Sequence, residues 1–165
     1  MARHRQIGAI CLLVFMFICL NSLHGDVQSV FLSMNDTKLE GDIDPDEPIL
    51  CVYENVIKGK TTGIPDGMYL WLVVHPEGSS GYWPQNVPIV PHPRTGKWTH
   101  KFWLGTRGAN WGDIFEVWLI LVDNEGNKIY TDYIERGKKT QKFPEIGLPE
   151  GYEAVDMITV IKERD

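Results

Sequence analysis

The chain has little cysteine, a deficit of basic charge and none of the common catalytic signatures, and each shortage excludes something. Of its three cysteines, Cys11 and Cys19 fall in an N-terminal apolar run, so Cys51 stands alone in the body of the chain. One thiol closes no intramolecular bridge, so this is not a disulfide scaffold. Cys51 lies among apolar neighbours in ILCVYENV, the setting of a small buried hydrophobe rather than of an intermolecular bridge. The formal charge is −6, and it becomes −8 without the first 25 residues, which hold Arg3 and Arg5 and no acids. An acidic surface repels phosphate backbones, so no nucleic-acid partner is expected. There is no H-x-H or H-E-x-x-H pair and no G-x-S-x-G elbow. His75, His92 and His100 are dispersed, which argues against a histidine metal site. The expectation is a non-enzymatic chain with no cofactor.

The N-terminus reads as a targeting segment. Arg3 and Arg5 precede the apolar run Ile7–Leu20, whose 14 residues fall short of a bilayer span and fit the h-region of a secretory signal. The bulky Met16, Phe17 and Ile18 before Cys19 do not suit lipidation. Small residues at Ser22 and Gly25 place cleavage near Gly25–Asp26, but no A-x-A pattern is present, and an uncleaved anchor stays open. Residues 1–25 are thus a signal peptide or N-terminal anchor and 26–165 a single domain, extracellular or periplasmic. Membrane contact is expected only through residues 7–20, if they are retained. Asn35-Asp36-Thr37 is an N-glycosylation sequon.

What the chain does have is tryptophan, and all of it lies between Tyr69 and Asp123. Met68–His75 and Ile114–Asp123 are apolar on both faces, apart from Glu116, so both should be central strands covered on two sides. Lys97–Leu104 alternates, with Trp98, His100 and Phe102 on one side and lysines and Thr99 on the other; Trp103 breaks the polar side. Val27–Asp36 reads as a first strand turning into a short arm over Thr37–Gly41. Ile49–Gly59 and Met157–Lys162 read as further strands, and a short one is expected near Val87–Val90. Asn124–Lys128 reads as a turn into Lys128–Ile134, a hairpin partner, with at most a short helical turn over Tyr130–Lys139. The fold expected is all-β: an antiparallel immunoglobulin-like β-sandwich of about seven to nine strands, preceded by an N-terminal hydrophobic helix. Its core should include Trp71, Leu72, Val73, Trp98, Phe102, Phe115, Val117 and Leu119.

The order of GMYLWLVVHP (Gly67–Pro76), YWPQ (Tyr82–Gln85), GKW (Gly96–Trp98), GDIFEVWLILV (Gly112–Val122), LPEG (Leu148–Gly151) and ITV (Ile158–Val160) resembles a β-sandwich module of bacterial and archaeal exported or surface proteins. That resemblance implies a fold more than an activity and carries no catalytic residues.

Trp83 and Trp111 differ from the other tryptophans in lying on glycine-rich loops. Such rings either plug an end of the sandwich or form a recognition surface. If Met68–His75 and Ile114–Asp123 pair antiparallel, both loops leave the same end. Tyr82, Trp83 and Trp111 would then stack on a sugar, with Gln85, Asn86 and Asn110 fixing its hydroxyls. Asp42, Asp44 and Asp46 alternate as calcium ligands do, although the hand-type loop pattern fails and a solvated acidic turn satisfies the same residues. Glu116 interrupts an apolar strand and needs a basic partner, exposure at a strand end, or a general-acid role. The function expected is an exported binding or cell-surface-associated domain recognising carbohydrate or another envelope component. The alternatives are a purely structural envelope module and a small hydrolase using Glu116 and a histidine.

Overall fold

The computed structural model describes residues 26–39 and 49–164. The strands are β1 (Gln28–Met34), β2 (Thr37–Lys38), β3 (Ile49–Cys51), β4 (Glu54–Thr62), β5 (Tyr69–Pro76), β6 (Trp83–Pro84), β7 (Lys97–Trp103), β8 (Ile114–Val122) and β9 (Glu153–Lys162), with one helix, α1 (Asn124–Thr140). They form a four-stranded sheet in the order β2-β1-β4-β7 and a five-stranded sheet in the order β3-β9-β8-β5-β6. Neighbours run antiparallel except β3 and β9, which are parallel. The two sheets pack face to face as a β-sandwich. The expected N-terminal helix lies outside the described residues.

Alternation explains the four-stranded sheet. Trp98, His100 and Phe102 of β7 point inward while Lys97, Thr99 and Lys101 face out. Phe31, Gly59 and Trp98 share one inward row across β1, β4 and β7. Gly59 is needed there because a Cβ would overlap the Trp98 indole. The ring lies over the bare backbone, meets Phe31 edge-on at 6.0 Å, and donates from Nε1 to Thr61 Oγ1 at 2.9 Å.

The five-stranded sheet is buried on both faces, as its doubly apolar strands require. Leu72, Phe115, Val117 and Leu119 face the other sheet. Trp71, Val73, Ile120 and Val122 face α1. All eight residues expected in the core are buried. Cys51 is buried too, with Sγ 2.8 Å from Met34 Sδ, and desolvation pushes its thiol up to about 12. In place of a strand over Val87–Val90 there is β6 and an isolated bridge from Ile89 to Leu70.

One expectation is overturned. Asn124–Thr140 is a helix, not a turn followed by a hairpin strand. Asp123 caps it, its carboxylate accepting from the Gly126 amide at 2.9 Å, with Glu125 in the first turn and Lys138 and Lys139 in the last. Its buried stripe is Gly126, Tyr130, Tyr133, Ile134 and Gly137. Two of those positions are glycine, so the apolar periodicity is thin, yet they let neighbours approach closely. Pro149 packs on Gly126 and Phe143 on Gly137. Trp71 ties the helix down, meeting Tyr130 edge-on at 5.2 Å and donating from Nε1 to Asn127 Oδ1 at 3.0 Å.

Trp71→Ala should remove the anchor of the helical layer and Trp98→Ala that of the inter-sheet row, each at a cost of about 3–5 kcal/mol in denaturant unfolding. A loss below roughly 1 kcal/mol at both sites would refute this packing. Mass mapping after alkylation should find Cys51 unmodified in the folded chain and modified once it is unfolded.

Candidate functional site

In the β5–β8 register His75 stands opposite Glu116 and Pro76 opposite Phe115. The segments after β5 and before β8 therefore leave the same end of the sandwich. A cleft of about 720 Å³ opens there, with Trp83 and Trp103 as aromatic walls and Val74 and Phe115 among its apolar lining. Lys138 of α1 and Asn86 reach it from the helical side and the β6 edge.

Both indoles are fixed. Trp83 Nε1 donates to the Phe143 carbonyl at 2.9 Å. Trp103 Nε1 donates to Glu54 Oε2 at 3.2 Å, while Lys101 holds Oε1 at 2.6 Å. The Lys101 hydrogen bond, helped by the indole, keeps the Glu54 carboxyl below the usual carboxylate range. Such clamped rings lose little entropy when a flat ligand stacks on them.

The two amides expected at the rim line the cleft, but their polar atoms already serve the scaffold. Gln85 is buried; Nε2 donates to the Trp83 carbonyl at 2.9 Å and Oε1 accepts from the Trp103 amide at 3.0 Å. Asn110, at φ 63, accepts from the Thr106 amide at 3.0 Å and donates to Asp113 at 2.9 Å. Gly105, at φ 55, faces it where a Cβ would crowd the Asn110 amide at 2.7 Å. Asn86, at φ 56, has no hydrogen-bond partner among the described residues.

The loop between β7 and β8 is set from below by Lys162. This side chain is fully buried at the end of β9, and its ammonium donates to the carbonyls of Thr106 at 2.5 Å and Ala109 at 2.6 Å. The Tyr53 ring lies 5.3 Å from Nζ. Backbone bonds from Gly112 to Lys162 and from Lys162 to Asp113 close the link.

Tyr82 and Trp111 do not line the cleft. Tyr82 lies on the helix-side face, stacked on His75 at 4.5 Å and edge-on to Trp118 at 6.4 Å, and burial pushes its phenol up. Trp111 is 46% exposed, with the Arg164 guanidinium 4.5 Å from its ring. Glu116 is half-buried and accepts from Trp118 Nε1 at 2.9 Å, an indole rather than the basic partner its position suggests. His75 Nδ1 lies 2.9 Å from the Gly81 carbonyl. Asn35 is exposed, but its Nδ2, the atom a glycan would occupy, donates to Asn55 at 2.8 Å. Asp42, Asp44 and Asp46 lie outside the described residues. Among the described residues no group of three or more acids, histidines and cysteines is placed to hold a metal.

Sequence reasoning missed Trp103 and Lys162 as site residues. The signals were there: Trp103 breaks the polar side of its strand, and Lys162 ends an apolar one. Compared with family models, curated proteins and solved structures, the chain matches none.

His100 ties β7 to the β6 side of the cleft, its Nε2 lying 3.1 Å from the Gln85 carbonyl. Burial lowers its pKa below the ordinary 6.5, so the unfolded chain takes up the proton first. Its stabilising contribution is complete above 6.5 and is lost as pH falls below that value. Unfolding at a series of pH values should show this loss, and His100→Gln should flatten it. Lys162→Met leaves the Thr106 and Ala109 carbonyls without their donor and should destabilise by about 1–3 kcal/mol. Faster proteolytic nicking between Gly105 and Asp113 would locate the effect in the loop.

Proposed function

We propose that the chain is a non-enzymatic binding domain, exported or cell-surface-associated, that takes a sugar unit of a carbohydrate in the cleft at the end of the sandwich. The observation that carries this is the pair of hydrogen-bonded indoles, Trp83 and Trp103, flanking a cleft of about 720 Å³. Sugar rings present apolar faces that stack on indoles. The amide of Asn86 and the ammonium of Lys138 are at hand for hydroxyls. The N-terminal apolar run supports an extracellular or periplasmic setting, with residues 7–20 as a signal or an anchor. The sandwich is read as immunoglobulin-like, consistent with its two largely antiparallel sheets.

Aromatic stacking contributes on the order of 1–3 kcal/mol per ring, judged from bases on aromatic side chains. On a glycan array and in titration, Trp83→Ala and Trp103→Ala should each weaken binding by about ten- to a hundred-fold while the domain stays folded. Trp111→Ala, away from the cleft, should leave it unchanged. A folded wild-type chain that retains no glycan would favour the purely structural envelope module.

One observation favours a second reading, a small hydrolase using Glu116 and a histidine: His75 stands directly across from Glu116, beside Tyr82. A hydrolytic activity present in the wild type and lost in a folded Glu116→Gln variant would establish it.

A further inference from the structure

The outer face of the four-stranded sheet is basic on a chain whose formal charge is −6. The register builds this face row by row. Lys38, Ser33, Lys58 and Thr99 are aligned across β2, β1, β4 and β7. The next row is Val30, Lys60 and Lys97. Lys101 stands opposite Val56 in another. Asp36 pairs with Lys58 at 2.8 Å and Glu54 with Lys101 at 2.6 Å, and Lys60 and Lys97 add positive charge beyond these pairs. Lys60 and Lys97 are exposed, directly opposed, and have no ion-pair partner among the described residues. Like charges facing each other across a strand pair destabilise a sheet, and an anion between them reverses that term. An open groove of about 570 Å³ crosses the same face, lined by Ser33, Lys58, Lys97, Thr99 and the wall Val90–Pro93.

We infer that this face binds an acidic polysaccharide, a chain carrying carboxylate or sulfate groups on its sugars. Charge complementarity identifies the sign of the partner. Lysines at alternate positions of a strand stand about 6.7 Å apart, and neighbouring strands about 4.8 Å apart, so the face offers a regular array to a repeating polyanion. The hydroxyls of Ser33 and Thr99 stand between the lysines, Val30 and Val56 are the apolar side chains of the lysine rows, and Trp103 closes one end of the face opposite Glu54. The Trp103 indole is half-buried and tied to Glu54, and the lysine rows otherwise carry hydroxyls and two valines, so the face suits a hydrated glycan rather than membrane insertion. Lysines on the edge strand β7 also discourage edge pairing, but β4 is an inner strand and its lysines guard no edge. The inference does not rest on the cleft, which this face meets only at Trp103.

The test is equilibrium binding of the full chain to polygalacturonate and to dextran sulfate, with neutral dextran as reference, at about 50 and 200 mM salt. At least one polyanion should bind and dextran should not engage this face. In the double variant Lys60→Gln, Lys97→Gln, affinity at low salt should fall about ten-fold or more, and the log–log salt slope should drop by about two. Both side chains are exposed, so the thermal midpoint should hold or rise. Trp83→Ala should leave polyanion binding intact, which separates this face from the cleft. Unchanged affinity in the double variant would overturn the inference. So would binding to anionic phospholipid vesicles or duplex DNA as tight as that to the acidic glycans.

Discussion

Two adjacent strands that are apolar on both faces, β5 and β8, impose one condition on the molecule: water must be kept from both sides of the sheet they centre. The four-stranded sheet covers one side and α1 the other. Trp71 is the clearest expression of this condition. It lies wholly buried under the helix, meeting Tyr130 edge-on and holding Asn127 through its indole N–H. A side chain of that size contributes several kcal/mol only where cover is complete. The helix in turn comes close because Gly126 and Gly137 present bare backbone to Pro149 and Phe143.

The same condition positions the cleft. Phe143, packed on the helix, carries the carbonyl that holds the Trp83 indole, and β6 is hydrogen-bonded along the edge of β5. On the other wall Lys162 reaches from β9 to two carbonyls of the β7–β8 loop. A buried ammonium is tolerated only when its protons are satisfied, so the loop and the lysine fix each other. Most polar atoms around the cleft are engaged in this way. The cleft therefore offers a ligand rigid aromatic surface first and hydrogen bonds second.

Charge is distributed unevenly over this scaffold. The chain is acidic as a whole, yet the outward rows of the four-stranded sheet collect lysines. An inward-facing row such as Phe31–Gly59–Trp98 forces the alternate residues outward, and on β4 and β7 many of those are lysine. The sheet thus converts a one-dimensional alternation into a two-dimensional basic face.

Much of the fold was legible from local pattern. Doubly apolar Met68–His75 and Ile114–Asp123 implied cover on both sides, and the alternation in Lys97–Leu104, broken only at Trp103, implied a half-buried strand; period-two burial leaves its mark residue by residue. Helix α1 was not legible, because Asn124, Gly126 and Asn127 carry turn chemistry and two glycines interrupt the apolar stripe. The antiparallel β5–β8 pairing, only a condition in the sequence reading, brings Trp83, Gln85 and Asn110 to one cleft, but not Tyr82 or Trp111. Trp103 joined it from the end of β7, where the β7–β8 loop begins. Sequence alone determined which faces had to be dry. Tertiary structure decided what covered them and which side chains met at the cleft, because those contacts join residues far apart in the chain and leave no local period to read.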